Sequence, residues 1–413
     1  MIEYSTHTLS NGLRIVHNYD PTTTQVVLNT LYNVGARDED PDLTGMAHLF
    51  EHLMFGGSVN VPDFDRELEL AGGTNNAWTS NDFTNFYSIV PAQNVETAFW
   101  VESDRMLSLA FTPESLEVQR KVVIEEFKQV CLNRPYGDYG HRLRQLLYTT
   151  HPYRYPTIGR EIAHISRVSM DDVREFFFSH YAPNNAVLAV AGPITLDETI
   201  RLAEKWYGPI PQRPVKPRLY APEPPVDAPR MLELHADVPQ ARLTIAFLMD
   251  NADHPDYPAA DLITDILASG QSARFNRDLV MGSDLFTAAD AAISGSEEQG
   301  FIMFTGALRS DSPEAVAAAK QMILDQLADL CDNPVSDYEL QRALNRFESN
   351  RLFSQIGALP RATQLARSVM TGRDINAVTD IYRAVTPEKI RQTAQRLLRP
   401  AASATLVYLP EKA

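Results

Sequence analysis

The sequence predicts an α+β protein built as two similar units, and three observations carry that expectation. The order strand, helices, strand, helices, strand occurs once before and once after a proline-rich stretch. That stretch, residues 209–229, holds eight prolines among few apolar residues and reads as a semi-rigid linker. The halves on either side, 1–208 and 230–413, are each of domain size, whereas 413 residues exceed what one ordinary core serves.

Each element has a local reason. Thr6 to Asp20 reads as a hairpin, with Asn11-Gly12 turning between alternating runs. Val26 to Val34 is a β-rich strand ended by Gly35, and Asp38 to Asp42 is a polar loop before an apolar helix. Asp63 to Leu70 is helical and stops at Ala71-Gly72-Gly73. Residues 75–82 and 83–90 read as antiparallel strands, the first with the small polar residues of an exposed edge. Val95 to Leu109 is amphipathic and helical, and Thr112-Pro113 caps and opens a helix through Phe127. Helix His141–Leu147 follows, then a helix from the capping box at Ser169 to about His180, and the strand Ala186–Gly192. Thr195 caps one more helix, to about Tyr207. Beyond the linker come strands Met231–Leu234 and Ala241–Leu248, helix Tyr257–Ala268 and strand Phe301–Gly306. Helices at 312–331 and 336–355, a helix from Thr386 and a strand from Ala402 to Leu409 complete the chain.

Composition narrows the class. With 44% hydrophobic and 22% charged residues the chain is globular, and no apolar run approaches the ~20 residues that span a bilayer. A net charge of −16 disfavours nucleic acid and anionic membrane as partners. Cys131 and Cys331 are far apart, so no disulfide framework or thiolate metal site is expected. Met1 to Ser5 lacks the basic-then-apolar pattern of a signal peptide. The expected location is therefore cytoplasmic, or periplasmic or organellar where a presequence has been removed.

The chemistry concentrates at His48-Leu49-Phe50-Glu51-His52. Residues four apart share a helix face, so His48 and His52 can hold one tetrahedral metal ion, most often zinc. Glu51 falls beside them, where a carboxylate can take a proton from a metal-bound water. This is the H-x-x-E-H order, the reverse of H-E-x-x-H. Two histidines on an apolar helix also suit an ordinary core, and a five-residue pattern arises by chance, so the rest of the chain decides. A third ligand from a neighbouring helix would complete the site. Glu125 and Glu126 end an apolar run, and in a helix they point about 100° apart, so at most one can face the metal.

The residues Gly45-x-x-His48-x-x-Glu51-His52-x-x-Phe55-x-Gly57 resemble the pitrilysin family of zinc peptidases, which includes insulysin and the mitochondrial processing peptidases. Gly72-Gly73-x-x-Asn76-Ala77-x-Thr79-Ser80, Val122 to Glu126 and Tyr181 to Ala186 extend the resemblance; Val238 to Arg242 and Ser272-Ala273-Arg274 match more weakly. The resemblance implies one Zn2+ per chain on His48, His52 and Glu126, with Glu51 as general base. It implies that the edge strand Asn76, Ala77, Trp78 and Thr79 pairs with a peptide substrate. It also implies two homologous domains, each a mainly antiparallel sheet with helices packed on it, forming half of a clamshell. The first (1–208) would be catalytic and the second (230–413) not.

Two positions depart from the family pattern. A second Glu often stands seven residues before the carboxylate ligand; here it is Gln119, a supporting position at best. The Arg and Tyr, seven apart, that hold substrate from the partner half are missing from Leu279 to Thr287. Arg274 and Arg277 lie nearby and read equally well as ordinary surface arginines. The expectation is a zinc endopeptidase subunit, acting on short or unfolded peptides, whose homologous partner subunit supplies the pair; a homodimer using other residues is the variant of it. The rival from another class is a non-catalytic structural or peptide-binding subunit on the same fold.

Overall fold

In the computed structural model, residues 1–218, 221–295 and 297–411 are described. Strands β1 (Ser5–Thr8), β2 (Arg14–Tyr19), β3 (Gln25–Tyr32), β4 (Thr74–Thr79), β5 (Thr84–Pro91) and β6 (Ala186–Gly192) form one sheet in the order β1-β2-β6-β3-β5-β4. Strands β7 (Arg230–Ala236), β8 (Arg242–Met249), β9 (Phe286–Ser294), β10 (Gly300–Leu308) and β11 (Ala404–Pro410) form a second in the order β7-β11-β8-β10-β9. Without β1 the two orders are the same. In each sheet the last strand returns to lie parallel to the first of the shared set, β6 on β2 and β11 on β7. All other pairs are antiparallel. The fold is thus α+β with two mainly antiparallel sheets, as the paired pattern of elements predicts.

The chain forms two compact units. One comprises Met1–Lys128, Tyr155–Leu219 and Arg351–Ala377; the other comprises Gln129–Arg154, Tyr220–Asn350 and Val378–Ala413. The expected division followed continuous sequence, whereas the units exchange two segments. The helix Ala358–Thr371 shows why. It buries Ala362, Leu365 and Ala366 against Val16, Val27, Leu31, Val187 and Ala189 of the first sheet. The opposite face of that sheet carries the main core, including Leu28, Phe50 and Phe86. Strands covered on both faces read as unbroken apolar runs, and β6 is buried along its whole length.

In the second unit, helix Tyr139–Leu147 covers one sheet face with Leu143 and Leu147 packed near Ala246, Phe301 and Leu406. The other face holds a core that includes Leu262, Ile263, Phe275 and Phe304.

The proline-rich stretch is tied down by polar side chains at both ends. In the first unit, the Arg213 guanidinium donates to the Tyr181 carbonyl at 2.7 Å, and Arg218 donates to the Asp38 carboxylate at 2.6 Å. In the second, the Glu223 carboxylate accepts from the backbone N–H groups of Thr149, Thr150 and His151 and from the hydroxyls of Thr149 and Thr150. Its order comes from these bonds as well as from proline.

Candidate metal centre

The motif helix, Met46–Leu53, follows β3 and rests its apolar side, Leu49, Phe50 and Leu53, in the first core. Its N-terminus is fixed by a residue the sequence pattern did not single out. The buried Glu39 carboxylate accepts from the backbone N–H groups of Gly45 and Ala47, both at 2.8 Å. Burial pushes that carboxyl up to about 8, against the pull of the Ala47 and Gly45 N–H groups. An oxygen acceptor at a helix start satisfies N–H groups that have no partner within the helix. Glu39 is held in turn by its loop. Arg37 pairs with Asp82 at 2.7 Å, and the Ala36 and Arg37 N–H groups bond the Ser80 and Asn81 carbonyls of the β4–β5 turn. The signal in sequence is an acid six residues before Gly45, hidden among the other acids of a polar loop. Gly45 itself has φ +92°, and a side chain there would collide with Ile165, so glycine is required at this entry.

One turn apart, His48 and His52 project from the same side, their ring centroids 4.9 Å apart. The helix Pro113–Phe127 delivers Glu126 opposite them. Its carboxylate oxygen lies 3.6 Å from His48 Nε2 and 3.4 Å from His52 Nε2. Of the two candidate acids, Glu126 is the one turned inward; Glu125 points away and pairs with Lys128 at 2.6 Å. Among the described residues this is the one group of three or more His, Cys, Asp or Glu side chains arranged to hold a metal ion, its ligand atoms all within 4.8 Å of one another.

The spacing itself is informative. Hydrogen bonds of this kind run ~2.7–3.2 Å, shorter than those seen. A tetrahedral zinc with bonds of ~2.0–2.1 Å sets its ligand atoms ~3.3–3.4 Å apart. The donor set of two imidazoles and a carboxylate is the one zinc takes in hydrolytic sites, so these residues fit that ion. Burial lowers the pKa of His48, with Glu126 opposing, which keeps the imidazole neutral as a ligand must be. Glu126 is held below its ordinary value by His52, against the cost of burial.

Glu51 sits on the same helix, close enough for its charge to act on His48. Its Oε2 accepts a hydrogen bond from the Thr79 hydroxyl at 2.6 Å. Among the described residues no donor reaches its other oxygen. The sequence assigns Thr79 a role through its backbone; the structure adds a side-chain contact to Glu51. It closes β4, which lies at the sheet edge with β5 on one side. Along β4, Ala77 packs toward the core and Trp78 toward the opposite face. The Asn76 side chain turns back to accept from the Ala77 N–H at 2.7 Å. Gln119 is half-buried two turns before Glu126, and among the described residues no hydrogen bond joins it to the cluster.

In the second unit, Arg274 is buried between Asp329 at 2.6 Å and Glu339 at 2.7 Å, and is not a surface arginine. Arg277 is exposed and pairs with Asp278. Leu279 to Thr287 ends a π-helical turn, Phe275–Val280, and enters β9.

Comparison with known proteins identifies the family. The family model described as Insulinase (Peptidase family M16) matches residues 14–157, and the one described as Peptidase M16 inactive domain matches residues 167–347. This chain belongs to the M16 peptidase family. The zinc protease PqqE of Helicobacter pylori is 25% identical over 98% of this M16 chain and 92% of its own length. The mitochondrial-processing peptidase subunit beta of Saccharomyces cerevisiae is 25% identical over 89% of this chain and 82% of its own. Among solved structures, a protease from Helicobacter pylori superposes with a TM-score of 0.92 at 23% identity, covering 99% of this chain and all of that one. Pitrilysin superposes with a TM-score of 0.81 at 17% identity, and this chain covers 45% of it. The cluster of His48, His52 and Glu126 falls within the first family match, and the match described as inactive covers much of the second unit. No helix among the described residues is long and apolar enough to cross a membrane.

Proposed function

We propose that this M16 chain is a zinc-dependent endopeptidase subunit cleaving short or unfolded peptides in a closed chamber, with a homologous partner subunit supplying the missing Arg/Tyr pair. The observation that carries it is the convergence of two imidazole nitrogens and one carboxylate oxygen at 3.4–3.6 Å, with a second carboxylate held beside them. His48, His52 and Glu126 would hold the ion. When bound, zinc acidifies a water and polarises the scissile carbonyl.

This chain's own residues do the rest. Glu51 accepts the proton of the attacking water on its free oxygen and delivers it to the leaving amine. The Thr79 hydroxyl holds the other oxygen and so fixes the rotamer that faces the reaction. The outer edge of β4 offers Asn76 to Thr79 for backbone pairing with an extended peptide. The names of the relatives support zinc and peptide hydrolysis; the length of pitrilysin, about twice this chain, supports a second half.

The test is zinc content with cleavage of a quenched peptide library by this chain alone, by Glu51→Gln and by His48→Ala. Glu51→Gln keeps the metal and loses turnover, and His48→Ala loses both. Zinc at one per chain without cleavage points to the absent partner. Zinc with robust cleavage means a self-sufficient homo-oligomer. A chain that binds no zinc is a scaffold, and Glu51→Gln cleaving at the wild-type rate sinks the assignment of the base.

A further inference from the structure

The second unit carries a cationic pocket that the metal centre does not use. Arg242, the first residue of β8, lies on the sheet face covered by helix Tyr139–Leu147. Its guanidinium stacks over two rings, 4.5 Å from the centroid of Tyr139 and 5.5 Å from that of Tyr136. Among the described residues it makes no hydrogen bond and no ion pair. By contrast, Arg274, Arg277, Arg383, Arg391 and Arg396 of the same unit are each paired with a carboxylate.

The guanidinium opens into a cavity of about 200 Å3, with Tyr136, Gln240, Asp290 and Thr305 also in its wall and alanines of β9 and β10 making the remainder. Tyr136 is held in the left-handed backbone region, φ +57°, while its hydroxyl donates to the Gln240 carbonyl at 2.6 Å. A bulky residue in that conformation is strained, so the surroundings over-determine the position of this ring. Gln240 accepts from the Thr287 hydroxyl through its amide oxygen, and its amide N–H groups are unused among the described residues. The pocket therefore presents a free planar donor fork and a second free donor, walled by rings and small apolar side chains.

We propose that this pocket binds a peptide carboxylate, either the free C-terminus or an acidic side chain. The Arg242 fork matches a carboxylate in two parallel hydrogen bonds, and stacking on the tyrosines fixes its plane. A single guanidinium with Asp290 at the rim suits one negative charge better than the two of a phosphate. The volume takes a carboxylate and a small side chain, not a length of peptide. That the carboxylate belongs to a peptide rests on the peptidase reading; that the pocket takes a carboxylate does not.

The experiment is calorimetric titration of the full chain, carrying Glu51→Gln to prevent turnover, with three forms of one short alanine-rich peptide. These are the free acid, the C-terminal amide, and the amide with one internal Glu. Acetate and inorganic phosphate serve as competitors. The expected result is about tenfold tighter binding of a carboxylate-bearing form than of the plain amide, the size of a charge-assisted bidentate contact. The form that gains identifies the source, and acetate weakens it. The gain is lost in Arg242→Met, is partly kept in Arg242→Lys, and grows in Asp290→Asn. Circular dichroism melts establish that each variant folds. If Arg242→Met does not fold, the Asp290→Asn gain and acetate competition decide. Three peptides of equal affinity, a gain unchanged by Arg242→Met, or phosphate competing better than acetate would each overturn the proposal. Acetate competition in a wild-type chain that binds no zinc would retain the pocket and remove the peptidase reading.

Discussion

The helix that follows β3 and the helix that follows β8 occupy corresponding places in two sheets of the same strand order, and they carry opposite chemistry. Met46–Leu53 buries Leu49, Phe50 and Leu53 and turns His48, Glu51 and His52 toward Glu126 and Thr79. Tyr257–Ala268 buries Ala259, Ala260, Leu262, Ile263, Ile266 and Leu267. Its two acids are both occupied: Asp261 accepts from the Tyr382 hydroxyl at 2.7 Å, and Asp265 pairs with Arg346 at 3.4 Å. The shared topology provides a rigid position after a central strand; side chains alone decide whether that position is a reaction site or a core.

Substitutions on the two helices should separate accordingly. Glu51→Gln should lower kcat/KM by at least ~1000-fold, about 4 kcal/mol of transition-state stabilisation, with metal content and melting temperature unchanged. Leu262→Ala on the second helix should do the reverse. Loss of a fully buried leucine costs about 3 kcal/mol of stability, through transfer and the cavity left behind. Urea unfolding measures that cost, and the folded fraction should cleave at the wild-type rate. A proportional fall in cleavage by folded Leu262→Ala would mean that the second helix is part of the working site.

The sequence made the first helix legible and the second nearly so. The H-x-x-E-H spacing, the Thr112-Pro113 cap and the Ser169 capping box were each strictly local signals, and each stands where expected. Two kinds of feature were not legible. Strand β9, Phe286–Ser294, is rich in alanine, a residue with little intrinsic preference for strands, and exists because β10 pairs with it. Helix Ala358–Thr371 was missed, and its place in the first unit depends on contacts more than 150 residues distant in sequence, such as Arg361 with Asp20. At the candidate metal centre, the three clustered side chains could be named from spacing and resemblance, but Glu39 and the Thr79 side chain could not. Both act across loops, where sequence distance says nothing of contact.

The proline-rich stretch offers a smaller test of the same contrast between local pattern and long-range bond. Burial pushes the Glu223 carboxyl up, but the His151 N–H, the Thr149 hydroxyl and the Thr150 and Thr149 N–H groups outweigh it and bring it down to about 2. A carboxyl lowered on folding stabilises fully above its unfolded value, ~4.3, and loses that contribution as pH falls toward 2. Allowing for solvent screening, the contribution is about 2 kcal/mol at neutral pH. Glu223→Gln should therefore be less stable than wild type by about 2 kcal/mol at pH 7, with the gap closing between pH 4 and pH 2. Urea titrations of both proteins across that range measure it. A gap that does not change with pH would mean that the segment is held by its prolines and shape rather than by the carboxylate.

Thr79 separates two roles that coincide in one residue. If β4 serves only by pairing its backbone with a peptide, Thr79→Val leaves that backbone intact, and cleavage is unaffected. If the hydroxyl positions Glu51, the same substitution removes one hydrogen bond to the base while keeping the shape of the side chain. The bond is short, 2.6 Å, and accepted by a carboxylate, the stronger class of such contacts. Its loss should lower kcat about tenfold, or ~1.4 kcal/mol, with KM and zinc content unchanged. Thr79→Ser keeps the hydroxyl and should recover most of the loss. A rise in KM alone would assign Thr79 to the peptide. A fall in kcat alone would make the end of the edge strand part of the device that holds the proton acceptor.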